Sequence, residues 1–168
     1  MLNDIFNKND MIALQTLLKA NKQTITTAES CTGGLVASMI TKVSGSSDIF
    51  NGSIVSYSNK IKNQELDVKN ETLEKYGAVS CEVVQEMLDG VINKFDANFA
   101  IAISGIAGPN GGTTNKPVGT VIIGIADSNN HKIVNVYNFN GSREEVQIQA
   151  AKHSLKEILK FIQKSLDK

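Results

Sequence analysis

At 168 residues, with 41% hydrophobic and 20% charged side chains, the chain has the make-up of one ordinary globular domain with room for a sizeable core. Its 17 basic and 17 acidic residues cancel, Trp is absent and aromatics are 5%, which argues against a nucleic-acid binder built on a basic patch and a stacking platform. No stretch approaches the roughly 18 apolar residues of a membrane span, and Met1 to Asp10 lacks the apolar run of a secretory signal, so a cytoplasmic, thiol-reduced protein is expected.

Met11, Leu14, Leu17 and Leu18 recur at helical spacing and predict a first helix from Asp4 or Asn9 to Asn21. Thr24 to Ala28 reads as a strand. It runs into Glu29-Ser30-Cys31-Thr32-Gly33-Gly34, and a helix from Leu35 to Val43 follows until Ser44-Gly45-Ser46-Ser47 breaks it. Phe50 to Tyr57 is a strand with Gly52 at a bulge. Asn59 to Asn70 holds a short helix and a loop, and Thr72 to Tyr76 is a helical turn closed by Gly77. Ser80 caps a helix whose stripe is Val83, Val84, Met87, Leu88, Val91 and Ile92.

Asn98 to Ser104 is nearly continuously apolar, as a strand buried on both faces should be. Val118 to Ala126 and Lys132 to Phe139 pair as a hairpin across Asp127 to Asn130. Ser142 and Glu145 form a capping box at the start of a last helix reaching Asp167. The order of elements predicts one domain over residues 1–168, a three-layer α/β/α sandwich around a mixed, mostly parallel sheet. Both prolines, Pro109 and Pro117, and five of the thirteen glycines fall between Ser104 and Gly119. A loop this long after the most buried strand is a functional candidate.

The turn from Ser30 to Gly34 joins a strand to a helix, so it offers a hydroxyl, a thiol and free backbone N–H groups at one point. An anion cradle, an oxyanion hole and a nucleophile on a tight turn all fit it. A plain helix cap by Ser30 fits as well. A thiol near a helix start can be activated, which makes Cys31 a rival nucleophile. Its bland role is a small buried hydrophobe. His131 lies in a turn and His153 inside the last helix, so neither is placed as its base. Cys31 and Cys81 have no metal or redox spacing, no His/Cys/carboxylate cluster shows metal-ligand spacing, and no Gly-x-Gly-x-x-Gly is present. Arg143 sits at a helix start, where its charge is locally unfavourable, which invites a role in anion contact.

AESCTGG (28–34), GSS (45–47), YSNKIK (57–62), YGAVS (76–80), SGIAGPNGG (104–112), KPVGTV (116–121) and FNGSR (139–143) occur in one order. Together they resemble the CinA C-terminal domain family, over nearly the whole chain after Thr24. The resemblance implies a single-domain, cofactor-free and metal-free enzyme that self-associates as a homo-oligomer. The implied reaction hydrolyses the carboxamide of nicotinamide mononucleotide to nicotinate mononucleotide and ammonia, in pyridine-nucleotide salvage. It carries over Ser30 as nucleophile and Lys62 as its base, since Ser–Lys pairs can replace Ser–His. Tyr57 and Asn59 would position the base or touch substrate, and Ser46 would add a hydroxyl to the proton network. The phosphate would meet N–H groups at Thr32, Gly33 and Gly34, the strand end Ser104-Gly105, and Arg143. Where many members have a further arginine this chain has Gln147; Lys116, beside Pro117, could compensate, although a flexible loop lysine is the simpler reading. A non-catalytic binding domain, or an amidase for another carboxamide, remains open on sequence.

Overall fold

A computed structural model describes residues 2–168, with Asn3 as backbone only. Helices α1 (Leu2–Ile5) and α2 (Lys8–Ala20) replace the single first helix of the sequence reading. The break has a local cause: Asn7 accepts from the N–H of Asn9 and Asp10, while Asp10 accepts from the N–H of Asn7, a reciprocal capping box that restarts the helix.

The other elements follow the expected order. They are β1 (Ile25–Glu29), α3 (Leu35–Thr41), a 3-10 turn (Ser46–Asp48), β2 (Phe50–Val55), α4 (Asn59–Leu66), α5 (Asn70–Tyr76), α6 (Cys81–Phe95), β3 (Phe99–Gly105), β4 (Thr120–Asp127), β5 (Lys132–Asn138) and α7 (Arg143–Leu166). Ser80 and Ser142 both cap as expected, accepting from Val83 and Glu145. At α7 only that half of the box forms, because the Glu145 carboxylate takes the Ser142 hydroxyl instead of the Ser142 N–H.

The sheet has the order β2-β1-β3-β4-β5. β1 runs parallel to both β2 and β3, while β3–β4 and β4–β5 are antiparallel. The sheet is mixed and mostly parallel in strand direction, as expected: four of the five strands run one way and β4 alone is reversed. The long 106–119 loop returns β4 beside β3 without a crossover helix, which forces the antiparallel sense. Ile25 pairs with Phe50 but Thr27 with Ser53, so β2 carries one extra residue around Gly52, the predicted bulge.

One face of the sheet packs on α2, α3 and α7 through Leu14, Leu18, Ile40, Ile101, Leu155 and Ile158. The other packs on α4–α6 through Leu66, Val84, Met87, Leu88, Ala100 and Ala102. β3 contributes to both, as its unbroken apolar run predicts. Layered this way, the carboxyl ends of β1, β2 and β3 open together at one edge of the sandwich. Among the described residues, no helix is long and apolar enough to cross a membrane.

Candidate active site

β1 ends at Glu29, and the chain turns at once. Ser30 donates its N–H to Ile103 on β3 at 2.9 Å, and the Glu29 carbonyl accepts from the Ser56 N–H at 2.8 Å. Both neighbouring strand ends therefore grip the residues beside Ser30. Gly33 donates to the Ser30 carbonyl at 3.0 Å, closing a turn in which Gly33 (φ 60°) and Gly34 (φ 101°) adopt left-handed backbone. Side chains with a Cβ are strained there, so the glycine pair is what lets α3 start immediately.

Lys62 reaches the same point from α4. Ser58 caps this helix, and side chains in its first turns lean back toward its N-terminus. The Lys62 Nζ stands 3.1 Å from Ser30 Oγ and donates to the Ser56 carbonyl at 2.8 Å. The side chain is 1% exposed. Burial holds its pKa below the ordinary lysine value. The opposing influence would be a thiolate at Cys31. Burial pushes that thiol up to about 12, so it is uncharged at neutral pH. A neutral amine can accept the Ser30 hydroxyl proton, whereas an ammonium cannot.

Cys31 was open to activation by its place near a helix start, and it shows the opposite. It borders the cleft but belongs to the same buried core cluster as Val36 and Ile40, and desolvation dominates its titration. With its pKa pushed up to about 12, it stays a protonated thiol at neutral pH and is not activated. The histidines stay outside the site. His131 bonds Asp127 in the β4–β5 turn at 2.8 Å, and His153 lies against the rings of Tyr137 and Phe139.

A cleft of about 260 Å³ opens over Ser30 and Lys62. Tyr57, Asn59, Ser104, Gly105 and Arg143 line it, as the sequence reading expects, and so do Ala78, Val79, Gly108 and Asn110, which that reading did not single out. Their signal was present in the YGAVS segment and the Gly/Pro loop, without a residue type that marks chemistry. Ser104 donates its hydroxyl to the Ala78 carbonyl at 2.7 Å and thereby holds that wall in place.

Arg143 donates to the Gly108 carbonyl at 2.7 Å and to the Tyr57 hydroxyl at 2.8 Å. Tyr57, 61% exposed, thus orients the arginine; Lys62 Nζ is held by Ser30 and Ser56 instead, so Tyr57 does not position the base. Arg143→Ala is expected to raise KM for an anionic substrate about tenfold or more with a smaller change in kcat, measured by steady-state kinetics.

Other expected contacts are corrected by position. Ser46 sits before the N-terminal end of β2, six strand residues from Ser56 and at the opposite edge of the sheet, so its hydroxyl cannot join the proton network. Thr32, Gly33 and Gly34 do not line the cleft, and the Thr32 hydroxyl is turned inward onto Glu29. Lys116 bonds the Tyr76 carbonyl at 2.9 Å, away from the cleft. Gln147, in place of an arginine, donates to the Cys31 carbonyl at 3.0 Å.

The family model of the CinA C-terminal domain matches residues 9–162. The chain belongs to the CinA C-terminal domain family. A CinA-like protein of Thermotoga neapolitana is 49% identical over 146 residues, 87% of this chain and 35% of that protein. One of Prochlorococcus marinus strain MIT 9312 is 54% identical over 139 residues, 82% of this chain and 32% of that protein. This CinA-family chain therefore spans about a third of the length of the curated relatives it matches. Among solved structures, the competence/damage inducible protein CihA of Agrobacterium tumefaciens superposes with a TM-score of 0.89 at 34% identity, covering 92% of this chain and 94% of that one. A CinA superfamily protein of Escherichia coli gives 0.87 at 34% identity, covering 92% and 89%.

Proposed function

We propose that this CinA-family domain is an amidohydrolase that converts nicotinamide mononucleotide and water to nicotinate mononucleotide and ammonia. The observation that carries the reading is the buried Lys62 amine 3.1 Å from the Ser30 hydroxyl. Neutral Lys62 takes the Ser30 proton as Oγ attacks the carboxamide carbon. Lys62 then returns that proton to nitrogen as the C–N bond breaks, leaving an ester on Ser30 and free ammonia. Water, deprotonated by Lys62, attacks the ester, and Ser30 Oγ leaves with the proton back on it.

The developing oxyanion needs donors close to Ser30. Cys31 is the turn residue after Ser30 that also borders the cleft, and its backbone N–H is the donor assigned to the oxyanion. Arg143, at the cleft rim, is assigned to the substrate phosphate, and the half-open cleft suits a ligand with one buried and one charged end.

The test is ammonia release from the mononucleotide, its riboside, free nicotinamide and the dinucleotide, with and without chelator. Release from the mononucleotide, unaffected by chelator, is the expected result. Release from none of them would leave a nucleotide-binding domain without this chemistry.

A further inference from the structure

Glu29 is a carboxylate with 0% exposure, and the chemistry above gives it no step. Its oxygens are fully engaged. Oε1 accepts from the Thr32 hydroxyl at 2.7 Å and the Val36 N–H at 2.8 Å. Oε2 accepts from the Thr27 hydroxyl at 3.2 Å and the Ala37 N–H at 3.0 Å. Every neighbour is a donor, so the pocket is built for an acceptor-only carboxylate. A strand-end side chain thereby caps the first turn of α3, in place of the missing side-chain cap at Gly34.

The residues between the two anchor points are Ser30 to Gly34. Glu29 holds β1 at one side through its backbone and α3 at the other through its side chain, so the intervening turn has fixed ends. We propose that Glu29 is a positioning residue that sets the direction of Ser30 Oγ toward Lys62 Nζ, an inference that rests on Ser30 being the nucleophile. Glutamine is the informative replacement. Each carboxylate oxygen faces one hydroxyl and one helix N–H. A hydroxyl can rotate to accept, but an N–H cannot. The Gln amide nitrogen must therefore oppose an N–H of Val36 or Ala37 whichever way it is turned. The turn shifts while the rest of the cleft, built from the segments of Tyr57, Ala78, Ser104 and Arg143, remains.

The experiment measures labelling of Ser30 by a fluorophosphonate probe alongside steady-state kinetics and thermal melting. Glu29→Gln should label more slowly and lose about 10- to 100-fold in kcat, as small misplacements of a reacting group do, with KM within about twofold. Thr32→Val, which removes one donor and spares the helix N–H groups, should fall between it and the wild type with little change in melting. Thr32→Ser should restore the wild-type rate. Wild-type labelling rates in both Glu29→Gln and Thr32→Val would overturn the proposal while leaving Ser30 as nucleophile. Failure of the wild-type protein itself to label at Ser30 would overturn the nucleophile reading, and this proposal with it. If Glu29→Gln does not fold, the Thr32 pair decides by the same criteria.

Discussion

Ser30→Ala should lower kcat for ammonia release by at least about 10³-fold, while Cys31→Ala stays within about threefold of wild type. The two side chains are adjacent in sequence, yet the fold separates their chemistry. Both residues border the cleft, but it is Ser30 Oγ that meets an amine, at 3.1 Å. Cys31 fills a core position, with its thiol held protonated by burial at a pKa of about 12. Losing the hydroxyl removes the bond-forming atom, and no water in its place can repeat the covalent step. Losing the thiol removes one small buried group, whose cost is stability of about 1 kcal/mol rather than rate. Circular dichroism confirms that both variants fold before rates are compared. A folded, inactive Cys31→Ala beside an active Ser30→Ala would establish a thiol mechanism.

Lys62→Met should be equally inactive, at least about 10³-fold down in kcat, and its stability should depend on pH in a particular sense. The folded state holds the Lys62 pKa below its ordinary value of 10.5. Between the folded and unfolded pKa values the unfolded chain binds more protons, so stability rises with pH through that window. Below the folded value the full penalty of burying the ammonium is present, and above the unfolded value it is gone. Methionine, similar in length and uncharged, removes the penalty but leaves the Ser56 carbonyl without its donor, at a cost of about 1 kcal/mol. The Tm of Lys62→Met relative to wild type should therefore be highest at neutral and acid pH and decline as pH approaches 10.5. The wild-type kcat/KM should rise with pH along an acid limb whose midpoint lies below 10.5. A Tm difference flat from pH 6 to 10 would show that the amine is not desolvated in the folded protein.

Much of this architecture is legible in the chain because single segments carry their own instructions. The unbroken run of β3, the stripe of α6 under Ser80 and the bulge at Gly52 need no long-range information. The split between α1 and α2 was equally local, but the Asn7/Asp10 box is easily passed over beside the stronger apolar periodicity of α2. The placing of the reversed strand β4 beside β3 was not legible, since it depends on how the 106–119 loop returns.

The site divides the same way. Ser30 is marked by its turn, whereas Lys62 is one lysine among many, and only the fold brings it across 32 positions to Ser30. Ser46 was drawn in by residue type and excluded by strand direction. Glu29 is the opposite case. All its partners lie between Thr27 and Ala37, so its role is written locally, yet a carboxylate that only accepts hydrogen bonds has no motif of its own.

The central claim is a Ser30 ester formed as ammonia departs. It is tested most directly by turning over nicotinamide mononucleotide in the presence of hydroxylamine and measuring the products by mass spectrometry. A serine-bound acyl group partitions between water and the added nucleophile, so the nucleotide hydroxamate should appear alongside the acid, and neither should form with Ser30→Ala. Ammonia and acid released at the normal rate with no hydroxamate, at any hydroxylamine concentration the enzyme tolerates, would contradict the covalent account.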